Sequence, residues 1–157
     1  MIQVDLVRWH DCKKTLTHIR QRVFVIEQRL PMSYQQDQYD AESLHVLAFD
    51  DLGNPVGTGR IKKSGHIGRL AVLMAARSNH VGSLIIEKLI KEAEQNKITN
   101  LHLHANFDNL SFYRKHQFVV DGPVFMSDGL PCQRMVYRPK TTTKNLELNL
   151  EPLRQHG

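Results

Sequence analysis

At 157 residues the chain has the length of one domain of the usual ~100–200 residues and can close a core without disulfide staples. Its 41% hydrophobic and 24% charged residues are an ordinary globular mixture, which excludes a disordered, collagen-like or coiled-coil chain. Twenty-one Lys and Arg against 16 Asp and Glu leave a charge of +5, which suits an anionic ligand, but the basic residues are scattered pairs such as Lys13-Lys14, Lys62-Lys63 and Arg114-Lys115, without the basic and aromatic interleaving of a nucleic-acid surface.

Residues 2–9 alternate apolar Ile2, Val4 and Leu6 with polar Gln3 and Asp5, the period of a half-buried strand. Asp11 then stands as a helix N-cap, and Leu16, Ile19, Val23 and Phe24 recur at helical spacing until Glu27-Gln28. Pro31 opens a loop, and the polar, acidic residues 35–42 read as a mobile segment beside a ligand or, in preference, as a solvated connection. Residues 44–49 and 55–62 are strand-like and joined by Asp50-Asp51-Leu52-Gly53-Asn54, a hairpin signal; residues 66–72 add a third strand in a row. A small-residue loop leads into a helix that holds Leu84, Ile85, Leu89, Ile90 and Ala93 on one face, carries Glu87 and Lys91 as an i,i+4 pair, and ends near Asn96-Lys97. In residues 101–105, Leu101 and Leu103 face one side and His102 and His104 the other. A short helix carries Phe112-Tyr113-Arg114-Lys115. Residues 118–125 and 133–137 supply the last strands, with Gly122-Pro123 and Asp128-Gly129-Leu130-Pro131 as breaks. The order β-α-β-β-β-α-β-α-β-β predicts an α+β fold on a single sheet. Beyond it, residues 146–151 alternate strictly, which predicts an added strand or a segment docked on a second subunit of a homodimer.

No apolar run approaches the ~20 residues that cross a bilayer, and Met1-Ile2-Gln3 opens a polar-interrupted strand rather than a leader peptide, so a soluble, cytoplasmic protein with no membrane partner is expected. Cys12 and Cys132 are too few for a disulfide framework or a four-cysteine zinc site. His102 and His104 form an H-x-H pair without an identifiable third ligand, and no metal is expected.

The chemistry concentrates where a strand runs through Leu70-Ala71-Val72 into the loop Arg77-Ser78-Asn79-His80-Val81-Gly82-Ser83 and then into a helix. A helix start presents unpaired N–H groups and the positive end of its dipole, so phosphate or pyrophosphate is the natural ligand. Neither G-x-G-x-x-G nor G-x-x-x-x-G-K is present, which argues against dinucleotide and P-loop readings.

That loop resembles the acyl-coenzyme A loop of the GNAT N-acetyltransferases, Q/R-x-x-G-x-G/A, with Arg77 first, Gly82 last and His80 in place of the first glycine. Val23-Phe24-Val25-Ile26-Glu27-Gln28, Pro55-Val56-Gly57-Thr58-Gly59-Arg60, Ile67-Gly68-Arg69 and Phe112-Tyr113-Arg114-Lys115-His116-Gln117-Phe118 are similar, in order and spacing, to the ElaA-like branch of that superfamily, over roughly residues 2–138. The resemblance implies a GNAT-like mixed, mostly antiparallel sheet flanked by helices and splayed between the strands at 66–72 and 101–105. The domain would occupy residues 1–139, with 140–157 as an extension. It further implies direct transfer of an acetyl group from acetyl-CoA to the primary amine of a small molecule or peptide. The cofactor would meet Leu70, Ala71 and Val72 on the strand, Arg77, Ser78, Asn79, His80, Val81, Gly82 and Ser83 on the loop, and Asn106, Phe112 and Tyr113 beyond. A non-catalytic coenzyme A-binding sensor of the same fold is the alternative.

Amine acetylation needs three groups. An amine of pKa ~10 must lose a proton, for which Glu27 acting through water is the candidate base. A developing oxyanion needs a fixed donor, for which the Val72 N–H is in the family-like position. The leaving thiolate needs an acid, and Tyr113 matches the family's tyrosine. Three departures stand out: His80, which fits if it offers its N–H without a positive φ; Gln117, where a glycine is usual; and Gly129-Leu130-Pro131-Cys132 in place of Gly-Ile-Pro-His, which removes a histidine from the acceptor side and leaves Cys132 as an inert thiol or, less simply, a nucleophile. His45 is expected to be structural or to lie at the acceptor mouth.

Overall fold

The computed structural model describes residues 1–140. Its first half is a four-stranded antiparallel sheet in the order β1 (Gln3–Val7), β2 (Leu44–Phe49), β3 (Pro55–Ile61) and β4 (Ile67–Val72). Its second half pairs β5 (His102–Asn106), β8 (Leu130–Tyr137) and β6 (Phe118–Val120) in that order, with β7 (Phe125–Ser127) also on β8. One parallel bridge, His66 to His102, joins the halves. The splayed sheet expected from the resemblance is thus two antiparallel halves hinged at a single point. The strand proposed for 146–151 lies outside the described residues.

Both faces of the first half-sheet are covered, which is why β2 is buried continuously and, His45 apart, apolar throughout rather than alternating. Val46 and Ala48 pack with Ile85, Ile86 and Leu89 of α2 (Val81–Gln95), while Leu47 points the other way, to Leu16, Ile19, Val23 and Phe24. The approach of α2 depends on bare backbone: a Cβ on Gly59 would lie 2.7 Å from Ile85 Cγ2 and 3.0 Å from Leu89 Cδ1. Among the described residues no helix is long and apolar enough to cross a membrane.

Helix α1 (Trp9–Arg20) starts earlier than expected. Arg8, extended at φ −94° and ψ 136°, is the N-cap, and Asp11 sits inside the first turn, where its charge complements the helix dipole without capping. The helix continues as a wider π-helical stretch, Gln21–Glu27, which carries Glu27 to its end. Strand β8 also starts earlier than expected and contains Pro131. The missing N–H is tolerated because Pro131 faces Met126 of the short β7, and the ladder with β5 begins only at Cys132. Asp128 (φ 50°) and Gly129 (φ 79°) form the two-residue β7–β8 hairpin turn.

The acidic segment 35–42 is not a solvated connection. Asp40 is fully buried and receives hydrogen bonds from Arg20 Nη1 at 3.0 Å and Arg60 Nη1 at 2.8 Å, while His45 Nε2 lies 2.8 Å from the Asp40 carbonyl oxygen. Asp37 takes two bonds from Arg60, at 2.7 and 3.0 Å, and one from Arg69 at 3.2 Å. His45 is therefore structural: its ring stacks on Trp9, centroids 5.2 Å apart, and burial keeps it neutral by lowering its pKa. Burial opposes both carboxylates, and the guanidinium groups outweigh it: Asp37 is held at about 2 and Asp40 below its usual range. Removing one member of a buried pair strands the other, so Asp40→Asn should cost about 3–5 kcal/mol in urea unfolding. Asp37→Asn should cost less, because the Asp37 side chain is 22% exposed and the Asp40 side chain 1%.

Candidate active site

Beyond the bridge the two half-sheets part, and a cavity of about 530 Å³ opens between them. One wall is β4, with Ile67, Gly68, Arg69 and Leu70; the other is β5, with Leu103, His104, Ala105 and Asn106. Tyr113, from α3 (Leu110–Lys115), and Asn109 line one end, and Phe24, Gln28, Leu30 and Tyr34 come from the π-helical stretch and the segment after it. The β7–β8 hairpin adds Asp128 from its turn and Leu130 and Cys132 from β8.

The gap leaves one edge of β4 without a strand partner. Leu73 donates its N–H to the Val56 carbonyl at 2.8 Å, so the alternation of the antiparallel ladder turns Val72 the other way, toward the gap. The Val72 carbonyl is taken by Arg77 Nε at 2.9 Å, while its N–H faces the open side. β4 also carries a bulge: Thr58 pairs with Ala71 and Arg60 with Gly68, so Gly59 faces both Arg69 and Leu70, and Arg69 adopts a left-handed φ of 53°. Past β4, a 3₁₀ turn (Met74–Asn79) and His80 lead into α2, whose first turn contains no acidic side chain. Phe112 lies against Gly82, and His116 Nε2 is 3.0 Å from Ser83 Oγ, so α3 braces the start of α2.

Tyr113 is half-buried at the cavity, and burial pushes its phenol up to about 12, so it is protonated at neutral pH. The thiol of Cys132 donates to Asn106 Oδ1 at 2.9 Å, and burial, then the nearby Asp128 charge, raises its pKa; a thiol held protonated in this way fits the inert reading. Both cysteines are free.

The chain matches the acetyltransferase (GNAT) domain over residues 12–139. It belongs to the GNAT acetyltransferase family. It is 32% identical over 127 residues to the uncharacterized N-acetyltransferase YjcF of Bacillus subtilis, covering 78% of this chain and 90% of that protein. The fold is similar to that of an acyl-CoA N-acyltransferase from Pseudomonas aeruginosa and of Escherichia coli ElaA. Each is 25% identical with a TM-score of 0.77, over 88% of this chain and all of the other. Membership makes the protein an acyltransferase of the N-acetyltransferase class.

In this GNAT acetyltransferase the loop departures resolve individually. His80 does take a positive φ, 59°, against the expectation that it would not, so the backbone reproduces the glycine conformation with a side chain in place. Gln117 likewise adopts φ 70° just after α3, a left-handed helix end. Glu27 is not among the residues lining the cavity: both its oxygens are 2.5 Å from Arg77 nitrogens, and that bond lowers its pKa.

Sequence reasoning missed Arg69, Tyr34, His66 and Asp128 as site residues. The His102/His104 pair gains a third ring, with His66 centroids 5.2 and 5.0 Å from the other two, but no group of three metal-ligating side chains forms among the described residues. Burial, then His104 and Lys62, hold His66 down at about 3. Because that lies below the unfolded value of ~6.5, unfolded chain binds the proton first as pH falls; the His66 contribution is whole above ~6.5 and lost on the way to 3. Urea midpoints should therefore fall from pH 7 to pH 4.5, and fall less in His66→Phe. His45, His104 and His116, also lowered by burial, carry the remaining slope.

Proposed function

We propose that the protein transfers an acetyl group from acetyl-CoA directly to a primary amine. The unpaired edge of β4, facing Asn106 across a gap that begins at the start of α2, is the observation that carries this reading. A strand edge inside a fold demands a polar partner, and the amide-bearing arm of coenzyme A is an extended chain of the right kind. The first-turn N–H groups of α2, at Val81, Gly82 and Ser83, are suited to the pyrophosphate, with no carboxylate in that turn to oppose it. We assign Leu70 and Val72 to the arm, residues 77–83 to the phosphates, and Asn106 to an amide of the arm, its side chain oriented by Cys132.

The thioester supplies an acyl carbon that the amine lone pair attacks; the C–N bond forms, the C–S bond breaks with its electrons on sulfur, and one proton must leave nitrogen while another reaches sulfur. The Val72 N–H stands where charge develops on oxygen. Tyr113, protonated at working pH, donates to sulfur and is recharged from water. Glu27 suits a different role from the base expected above. Its carboxylate is bound twice by Arg77, which makes it a weak base and an anchor for the loop. The amine instead loses its proton in the cavity, where Asp128 is the sole carboxylate among the lining residues and desolvation favours the neutral amine.

Calorimetric titration with acetyl-CoA, followed by thiol release against a panel of amines, tests this. Micromolar binding with amine-dependent release is expected; binding without release on any amine would return the reading to a sensor. Tyr113→Phe should lower kcat ~10²–10⁴-fold and leave acetyl-CoA affinity unchanged. Glu27→Gln should loosen acetyl-CoA binding through Arg77 while leaving the pH profile of kcat where it was.

A further inference from the structure

Resting on that reading of the site, we propose that the acceptor is an amine that also bears a carboxylate, as an amino acid does, with Arg69 and His66 binding the carboxylate while Asp128 faces the ammonium end. The cavity is lined by one permanent cation, Arg69, and one carboxylate, Asp128. No ion pair joins the two among the described residues. They are held apart by Tyr34, whose ring lies under the Arg69 guanidinium, 4.6 Å from Cζ to centroid, and whose hydroxyl donates to Asp128. A cavity with one charge over the face of this ring and the opposite charge at its hydroxyl is complementary to a zwitterion rather than to a simple amine.

The charge on Arg69 is not consumed inside the protein. Three guanidinium groups, Arg20, Arg60 and Arg69, meet two carboxylates, Asp37 and Asp40. Arg60 bonds to both carboxylates and Arg20 to Asp40, whereas Arg69 makes one bond, 3.2 Å to an oxygen that Arg60 also engages. One positive charge is left over, on the member of the cluster that faces the cavity. Hydrogen-bond accounting gives the same answer. Among the described residues, five buried side-chain nitrogens have no partner; three of them, Arg69 Nε and both ring nitrogens of His66, belong to residues lining this cavity. Arg69 Nε–H and the one N–H of a neutral His66 are donors without an acceptor, while the second His66 nitrogen is an acceptor without a donor, so two of the three call for an acceptor. A carboxylate brings the acceptor oxygens and the negative charge together, and a neutral carbonyl brings only the first.

The backbone has been shaped for this placement. Arg69 sits in the left-handed region at the β4 bulge, a conformation that a non-glycine residue keeps only where surrounding contacts hold it; its bonds to Asp37 and Tyr34 do so.

The test pairs L-phenylalanine with phenethylamine, L-methionine with 3-(methylthio)propylamine, and L-alanine with ethylamine, using the full-length protein. Each pair is measured by calorimetric binding and by thiol release in the presence of acetyl-CoA. Each acid should exceed its decarboxylated partner by roughly tenfold to a hundredfold, the range for a charge-assisted hydrogen bond. Arg69→Gln and His66→Phe should raise KM for the acids by about tenfold and shrink the preference of each acid over its decarboxylated partner by the same factor. If Arg69→Gln unfolds through the loss at Asp37, His66→Phe decides alone, since its ring has no hydrogen bond to lose. Equal binding within the pairs, or variants that lose both members equally, would overturn the proposal. Discrimination in binding without thiol release from any amine would leave the carboxylate site standing and reject the acetyl-transfer reading; release without discrimination would do the reverse.

Discussion

Everything at the site follows from backbone pairing between β4 and β5 that stops after one bridge. Up to His66 and His102 the two half-sheets are one structure; past them, N–H and C=O groups on the inner edges have no strand to bond. Elsewhere in a folded chain such groups are paired almost without exception, because an unpaired one loses its water on burial and gains nothing. The fold meets part of this demand itself, with Arg77 on the Val72 carbonyl. What is left open is a polar slot that a second extended molecule can complete, with a helix start at its end. The cavity is thus the consequence of the splay, and its chemistry is decided by the side chains that the splay exposes.

Two ionic arrangements hold the slot's rims, and their burial makes them unequal. Beside the β4 bulge, Arg20, Arg60 and Arg69 lock Asp37 and Asp40, with Arg20, Arg60 and Asp40 almost wholly out of solvent. Breaking such a cluster leaves a bare charge inside the protein, so this rim is rigid and keeps the bulge at Arg69 in place. Before the start of α2 the Arg77–Glu27 pair has good geometry but is 39% and 29% exposed, where water and salt compete. That rim can yield when an anion arrives. One firm rim and one compliant rim would suit the proposed catalyst, which selects one substrate by shape and charge while exchanging the other at each turnover.

Much of this was legible in the residues. The alternation at Ile2, Val4 and Leu6, the helical spacing of Leu16, Ile19 and Val23, and the turn chemistry around Gly53 are local signals, and local signals set these elements. The strand, loop and helix over 70–83 were legible by the same logic and are seen as β4, a 3₁₀ turn and α2. What stayed hidden depends on distance or on one extra residue. Asp37 and Asp40 look like solvated acids because Arg20 lies 20 positions before Asp40 and Arg60 lies 20 positions after it, and only the fold brings them together. The bulge that turns Arg69 inward, and the π-helical stretch that carries Glu27 to Arg77, each insert a residue that no periodicity records. His80 and Gln117 adopt the glycine conformation without being glycine, so composition misleads at both positions.

The central claim is that the open edge of β4 and the start of α2 receive coenzyme A. Amide-resolved NMR of the ¹⁵N-labelled protein, with acetyl-CoA added in steps, addresses it at the atoms concerned. The account predicts large shifts and slowed hydrogen exchange at the amides of Val72, Val81, Gly82 and Ser83, with Ala71 and Leu73, whose amides face the paired edge, nearly still. Shifts confined to surface residues elsewhere, or equal on both edges of β4, would contradict it.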